Sequence, residues 1–188
     1  MAFLSVVLWP ILPRSMAVIG GTLYAAATGL GFLRDWFVAS GVLNPANDTY
    51  RRTQAWLYRL FARLLPPLWR LALVIAMTRI LAVAAVPFPP ASWSDHIAGW
   101  GVPGAPFWTA FVALIGLLGT PLVGLGILSR VLSTALILPI GFDIATRGLD
   151  WANGLALVST VFIQMFGPGP GALWPGEERF VLRRLGDT

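Results

Sequence analysis

Five stretches of this chain carry so little charge over such length that water cannot be their solvent. Residues 16–33 run for 18 positions without a charge; residues 71–86 are apolar apart from Arg79. Residues 97–129 hold no charged side chain, with an apolar core over about 107–128; residues 131–146 hold only Asp143, and residues 151–166 hold none. A bilayer core about 30 Å thick is crossed by roughly 20 helical residues. Lipid also forces each backbone amide to bond within its own segment, which selects helices. The expectation is an all-α, integral membrane helical bundle. The last two stretches are short for a span, and flanking Arg130 and Arg147 can snorkel to compensate. Residues 1–12 are also apolar and are read as lying at the interface or extending the first span. Arg14 follows that run, whereas a secretory signal has its positive charge first.

Composition agrees. The chain is 57% hydrophobic and 11% charged, against roughly 25% charged residues in ordinary soluble domains. With no cysteine, disulfides, thiolate metal sites and cysteine nucleophiles are excluded. The single histidine, His96, cannot supply a pair of axial haem ligands. All 13 basic residues are Arg and the pI is near 11.0, but Arg at the ends of apolar spans is an orientation signal rather than a nucleic-acid footprint.

The basic residues cluster on alternate loops. The connector over 34–70 carries Arg34, Arg51, Arg52, Arg59, Arg63 and Arg70, while the loop over 87–106 carries only Asp95 and His96. Arg179, Arg183 and Arg184 lie in the tail. The positive-inside rule then puts the connector and C-terminus in the cytoplasm and the N-terminus outside, as expected for a multi-pass protein of a bacterial inner membrane. Trp36, Trp69, Trp93, Trp100, Trp108, Trp151 and Trp174 fall near the expected interfaces, where indole rings prefer to sit.

Within the connector, Trp56, Leu57, Leu60, Phe61, Leu64, Leu65 and Leu68 recur at helical spacing, with Arg52, Arg59 and Arg63 elsewhere on the wheel. Asp48 or Thr49 is placed to cap this helix and Pro66-Pro67 to stop it. A basic amphipathic helix of this type binds an anionic membrane surface through Arg52, Trp56, Arg59 and Arg63, or packs on a partner subunit. Three parts follow: residues 1–49, a first transmembrane helix and linker; 50–67, an amphipathic interfacial helix; and 68–188, a four-helix membrane domain with a short tail. Small residues that let helices approach closely recur at Gly21, Ala25 and Gly29 in the first span and at Gly116 and Gly119 in the third.

Four short elements occur in order along the last part. Arg70-Leu71 opens a span, Gly99-Trp100-Gly101-Val102-Pro103 lies in the outer loop, Gly126-Ile127-Leu128-Ser129-Arg130 ends a span, and Gly167-Pro168-Gly169 follows the last one. In this order and spacing the stretch from about residue 68 to 185, about three-fifths of the chain, resembles the DoxX family of small four-helix membrane proteins. The first span and the amphipathic connector lie outside the resemblance. It implies association with membrane electron transfer, beside quinone-linked oxidoreductases and terminal oxidases. Two ionisable positions of the family pattern are replaced: Gly116 stands where many members carry Glu, and Ala172-Leu173-Trp174 where they carry Ser-Leu-Asp. No basic residue follows Val86, as it often does in the family.

Arg79 and Asp143 are the two charges inside the apolar spans. Intramembrane charges are expensive and are usually paired or functional, so the two are expected to form a buried ion pair; the alternatives for Arg79 are an anion or quinone headgroup contact, and snorkelling or a span shifted in register. His96 is read as a solvated loop residue; ligation of a metal or pigment magnesium is the weaker alternative. Gln164, Ser159 and Thr160 are expected to bond between helices. Nothing assembles a catalytic constellation or a cofactor site belonging to this chain. The sequence therefore points to an accessory, non-catalytic subunit of a respiratory or photosynthetic complex, contacting lipids, quinone or pigment and other membrane subunits. The second reading is a quinone-reactive subunit with Arg79 at the headgroup.

Overall fold

The computed structural model describes residues 14–84 and 90–174, and within them every regular element is helical. Residues 1–12, read above as interfacial or as part of the first span, lie outside the described residues, as do the tail arginines. Helix α1 spans Arg14–Ala39, α2 Asp48–Tyr58 and α3 Leu65–Ala84, with a π-helical segment, Arg59–Leu64, between the last two. Helix α4 spans Ala91–Gly99, α5 Ala105–Gly124, α6 Ser129–Arg147 and α7 Trp151–Phe166.

Three helical stretches are long and apolar enough to cross a membrane: Asp48–Ala82, Ala105–Gly124 and Ser129–Arg147. The 16-residue α7 is a shorter apolar helix. Helices α3, α5, α6 and α7 form the bundle. α3 packs on α7 and α5, α6 packs on the same two, and α3 and α6 lie on a diagonal where they barely meet. The interior is built from Leu73, Ala76, Met77 and Ile80 of α3, which share one helical face, closed by Val112 and Val123, Leu136 and Ile140, and Leu157 and Ile163.

Two glycines of the expected packing set are used. A Cβ at Gly116 would lie 3.0 Å from Leu81 Cδ2 of α3, and one at Gly119 3.1 Å from Leu136 Cδ2 of α6. Their missing side chains are what allow α5 to be clasped from both sides. Gly21 and Gly29 of α1 have nothing within 4 Å of where a Cβ would be, and Ala25 is exposed. Among the described residues that stripe packs against nothing. α1 touches the bundle only lightly, against α7, with Met16 buried and Ile19 packed on the core.

Two expectations about the connecting regions are corrected. Pro66-Pro67 do not end the amphipathic helix: Asp48 through Ala84 is one unbroken helical rod, and the prolines follow the π-helical segment. A proline cannot donate to the ladder and crowds the preceding turn, and the wider π turn next to it relieves that local misfit. The rod is capped by Asn47, whose side chain accepts from the Thr49 N–H at 3.0 Å, rather than by Asp48 or Thr49. The outer loop holds α4, with Trp93 and Ile97 buried.

Candidate functional site

Polar side chains gather at the two ends of the bundle. At one end α5 turns into α6 through Gly126 and Leu128, both in the left-handed region at φ 77° and 47°. Gly126 has a second reason to be glycine: a Cβ there would lie 2.5 Å from the Cα of Ala172 and 2.6 Å from Arg70 Nη1. Arg70, from the start of α3, is only 5% exposed and donates from Nη2 to the carbonyl of Pro170 at 2.8 Å. The Leu173 N–H donates to the Leu125 carbonyl at 2.9 Å and pins the chain after α7 against the same turn. Three of the four elements behind the family resemblance thus meet at one place: Arg70, the Gly126 turn, and the glycine-proline segment after Gly167. The fourth, beginning at Gly99, caps the opposite end.

At that opposite end α6 turns into α7 around Asp143. Its carboxylate is fully buried; Oδ1 accepts from Arg147 Nη2 one helical turn on, and Oδ2 accepts from Asn153 Nδ2 at 3.0 Å. Asn153 Nδ2 also donates to the Gly148 carbonyl at 2.8 Å. Asp150 and Asn153 form a reciprocal cap on α7: the Asn153 N–H donates to Asp150 Oδ1 at 2.9 Å and the Asp150 N–H to Asn153 Oδ1 at 2.8 Å. One buried amide therefore ties the α6 carboxylate, the turn and the α7 cap together. Beside it Phe142 is ringed by Trp93, Trp100 and His96, at centroid distances of 6.0, 5.6 and 6.1 Å.

The expected Arg79–Asp143 pair does not form. The oxygens of Asp143 are engaged by Arg147 and Asn153, while Arg79 is exposed on the outer face of α3, and no ion pair to it forms among the described residues. The physical reason is the packing order: α3 and α6 are diagonal, and the buried face of α3 passes through Leu73, Met77 and Ile80, which leaves Arg79 off it. Arg52, Trp56, Arg59 and Arg63 lie on the rod before α3, and no residue of α2 is buried. His96 stacks edge-on against Trp100 at 4.8 Å, and the described residues hold no group of three metal-ligating side chains. Gln164 bonds between helices as expected, its Nε2 donating to Thr134 Oγ1 at 3.2 Å. Thr160 instead donates to Ala156 in its own helix, and the buried Ser159 hydroxyl has no partner among the described residues.

Arg147 and Asn153 were missed by sequence reasoning although both left a signal. Arg147 stands four residues after Asp143, the spacing of an intrahelical ion pair. Asp150 and Asn153 have the offset of a capping box. The burial of Arg70 left no such signal, because it depends on a chain segment 100 residues away. The outer face of α5 and α6 carries an apolar groove of about 300 Å³ lined by residues such as Phe111, Leu118 and Leu132. Its lining residues include no charged group. The chain matches no protein-family profile, no curated protein and no solved structure.

Proposed function

We propose that this protein is an accessory, structural subunit of a membrane electron-transfer complex, respiratory or photosynthetic, with a DoxX-like four-helix core. The observation that carries this reading is α1. A 26-residue helix, with Leu30 and Phe32 about 70% exposed and a stripe of small residues that meets none of the described residues, has the surface of a helix that packs on another chain. The buried polar groups point the same way, since Asp143 and Asn153 are consumed in holding a turn, and Arg70 in holding the chain after α7. The electron-transfer setting rests on the motif order behind the family resemblance. The cell location proposed with it is a bacterial inner membrane, with the Arg-rich rod in the cytoplasm.

Deletion of the gene in its host tests the reading. Yield of one membrane complex should fall, while turnover per remaining copy stays within about twofold. Full assembly with turnover abolished would instead support the second reading, a quinone-reactive subunit. One observation favours that alternative: Arg79 is exposed on the outer face of α3, where a quinone headgroup would reach it.

A further inference from the structure

Arg79 belongs to the Asp48–Ala82 stretch that is apolar and long enough to cross a membrane, yet its side chain is exposed. Two contacts fix its level in the bundle. Val74 Cγ2 lies 2.8 Å, and Leu81 Cδ2 3.0 Å, from where a Cβ would sit on Gly124 and Gly116 respectively. Arg79 falls between them and so stands alongside the interior of α5 rather than beyond its end. Five residues separate it from Val74, about 7.5 Å of helix rise. Its neighbours on the outer face of α3 are Leu71, Ile75 and Thr78, and the Thr78 hydroxyl is already donated to the Val74 carbonyl. In hydrocarbon a guanidinium held among such neighbours is costly, and pairing with a counter-charge offsets that cost.

Among the described residues this chain does not supply one at that level. Asp35, Asp48, Asp95 and Asp150 lie in or beside the connecting segments, and Asp143 is engaged by Arg147 and Asn153. A second copy offers the same set, so self-association does not answer the charge with any described carboxylate. A lipid phosphate lies in the headgroup zone, whereas Arg79 stands alongside the interior of α5, where a carboxylate on a neighbouring helix would meet it at its own level. We propose that Arg79 and the outer face of α3 dock a transmembrane helix of a different protein, one that carries an Asp or Glu within its apolar span. This rests on the accessory-subunit reading and names the chemistry of the partner's contact.

The test is a native gel of membranes solubilised in mild detergent, from cells expressing wild type, Arg79→Leu, Arg79→Lys or Ile75→Trp at matched levels. The expected result is wild type in a larger species whose co-migrating chains include one with a carboxylate inside a transmembrane segment. Arg79→Leu should lower the fraction in that species at least tenfold, and Arg79→Lys less. Ile75→Trp, which blocks the same face without touching the charge, should lower it as well. Each variant, purified alone, should keep the helical content and melting temperature of wild type, because both side chains are exposed. Wild type migrating alone overturns the accessory reading together with this inference. Wild type and Arg79→Leu co-migrating equally overturns only the inference. So does a variant whose single loss, counted by native mass spectrometry, is one anionic lipid.

Discussion

At the residue scale, the same residue type has opposite duties according to what stands opposite it. Gly126 combines a left-handed backbone with a site where a Cβ would lie 2.5 Å from the Ala172 Cα and 2.6 Å from Arg70 Nη1; a Cβ on Gly124 would meet only the tip of Val74, at 2.8 Å, and one on Gly29 none of the described atoms within 4 Å. Left-handed backbone costs a non-glycine residue roughly 1–2 kcal/mol, and the contacts at Gly126 involve backbone that cannot swing away. Alanine in place of glycine inside a helix gains up to about 1 kcal/mol. Thermal melts in detergent should therefore rank the alanine variants Gly126→Ala least stable, Gly124→Ala intermediate and Gly29→Ala equal to or above wild type. A flat series would mean these turns and contacts do not carry the fold. Asp143 gives the second residue-scale prediction. Removing one partner of a buried pair costs about 3–5 kcal/mol when the other is fully buried, but the Arg147 side chain is 30% exposed and can turn to water. Asp143→Leu should thus cost less than that range, roughly 1–3 kcal/mol, and Asn153→Leu a similar amount through the lost cap and the under-partnered carboxylate. A double-mutant cycle should find coupling between Asp143 and Asn153 and none between Asp143 and Arg79.

At the scale of elements, two helices extend outside the bundle. The rod from Asp48 to Ala84 measures about 55 Å at 1.5 Å per residue, well beyond a 30 Å bilayer core. Its Asp48 end must therefore leave the hydrocarbon and carry Arg52, Arg59 and Arg63 into the headgroup zone or past it. A peptide of residues 50–68 should be largely disordered in buffer and become helical on anionic vesicles, with binding that weakens as salt rises, because the attraction is screened. Helix formation indifferent to lipid charge would assign this face to a protein. α1 contributes little to the core beyond Met16 and Ile19. A chain beginning at Val42 should therefore remain a monodisperse helical protein with a melting temperature within a few degrees of the full chain. Collapse of that variant would make α1 part of the bundle rather than an attachment to it.

At the scale of the whole molecule, the disposition of Arg-rich and Arg-poor segments underlies the proposed orientation. The chain has no cysteine of its own, so single cysteines report cleanly. Placed at Thr53 on the rod and at Ser92 on α4, both exposed positions, they should react oppositely with an impermeant maleimide in intact cells. The residue 92 site should label and the residue 53 site should not. The reverse pattern would invert the proposed topology, and equal labelling would place both segments on one side.

Much of this protein could be read before any coordinates. Residues 107–128 and 131–146 fall almost on α5 and α6, and 151–166 on α7, because an uninterrupted apolar run of that length has few ways to satisfy its backbone in lipid other than as a helix. Gly116 and Gly119 were legible as packing positions for the same local reason. The pairing of charges was not. Arg79 and Asp143 stand at comparable depths along their own helices, and one-dimensional reasoning joins them, but only the order of helices around the bundle decides that α3 and α6 are diagonal. The stopping power of Pro66-Pro67 was likewise undone by a π-helical segment that no periodicity announces. Nor does the sequence reveal that Arg70, the Gly126 turn and Pro170 share one corner, since separations of that size are closed by packing alone. Solvent preference is a property of each segment and is written locally; which polar group meets which is a property of the arrangement, and the tertiary structure alone fixes it.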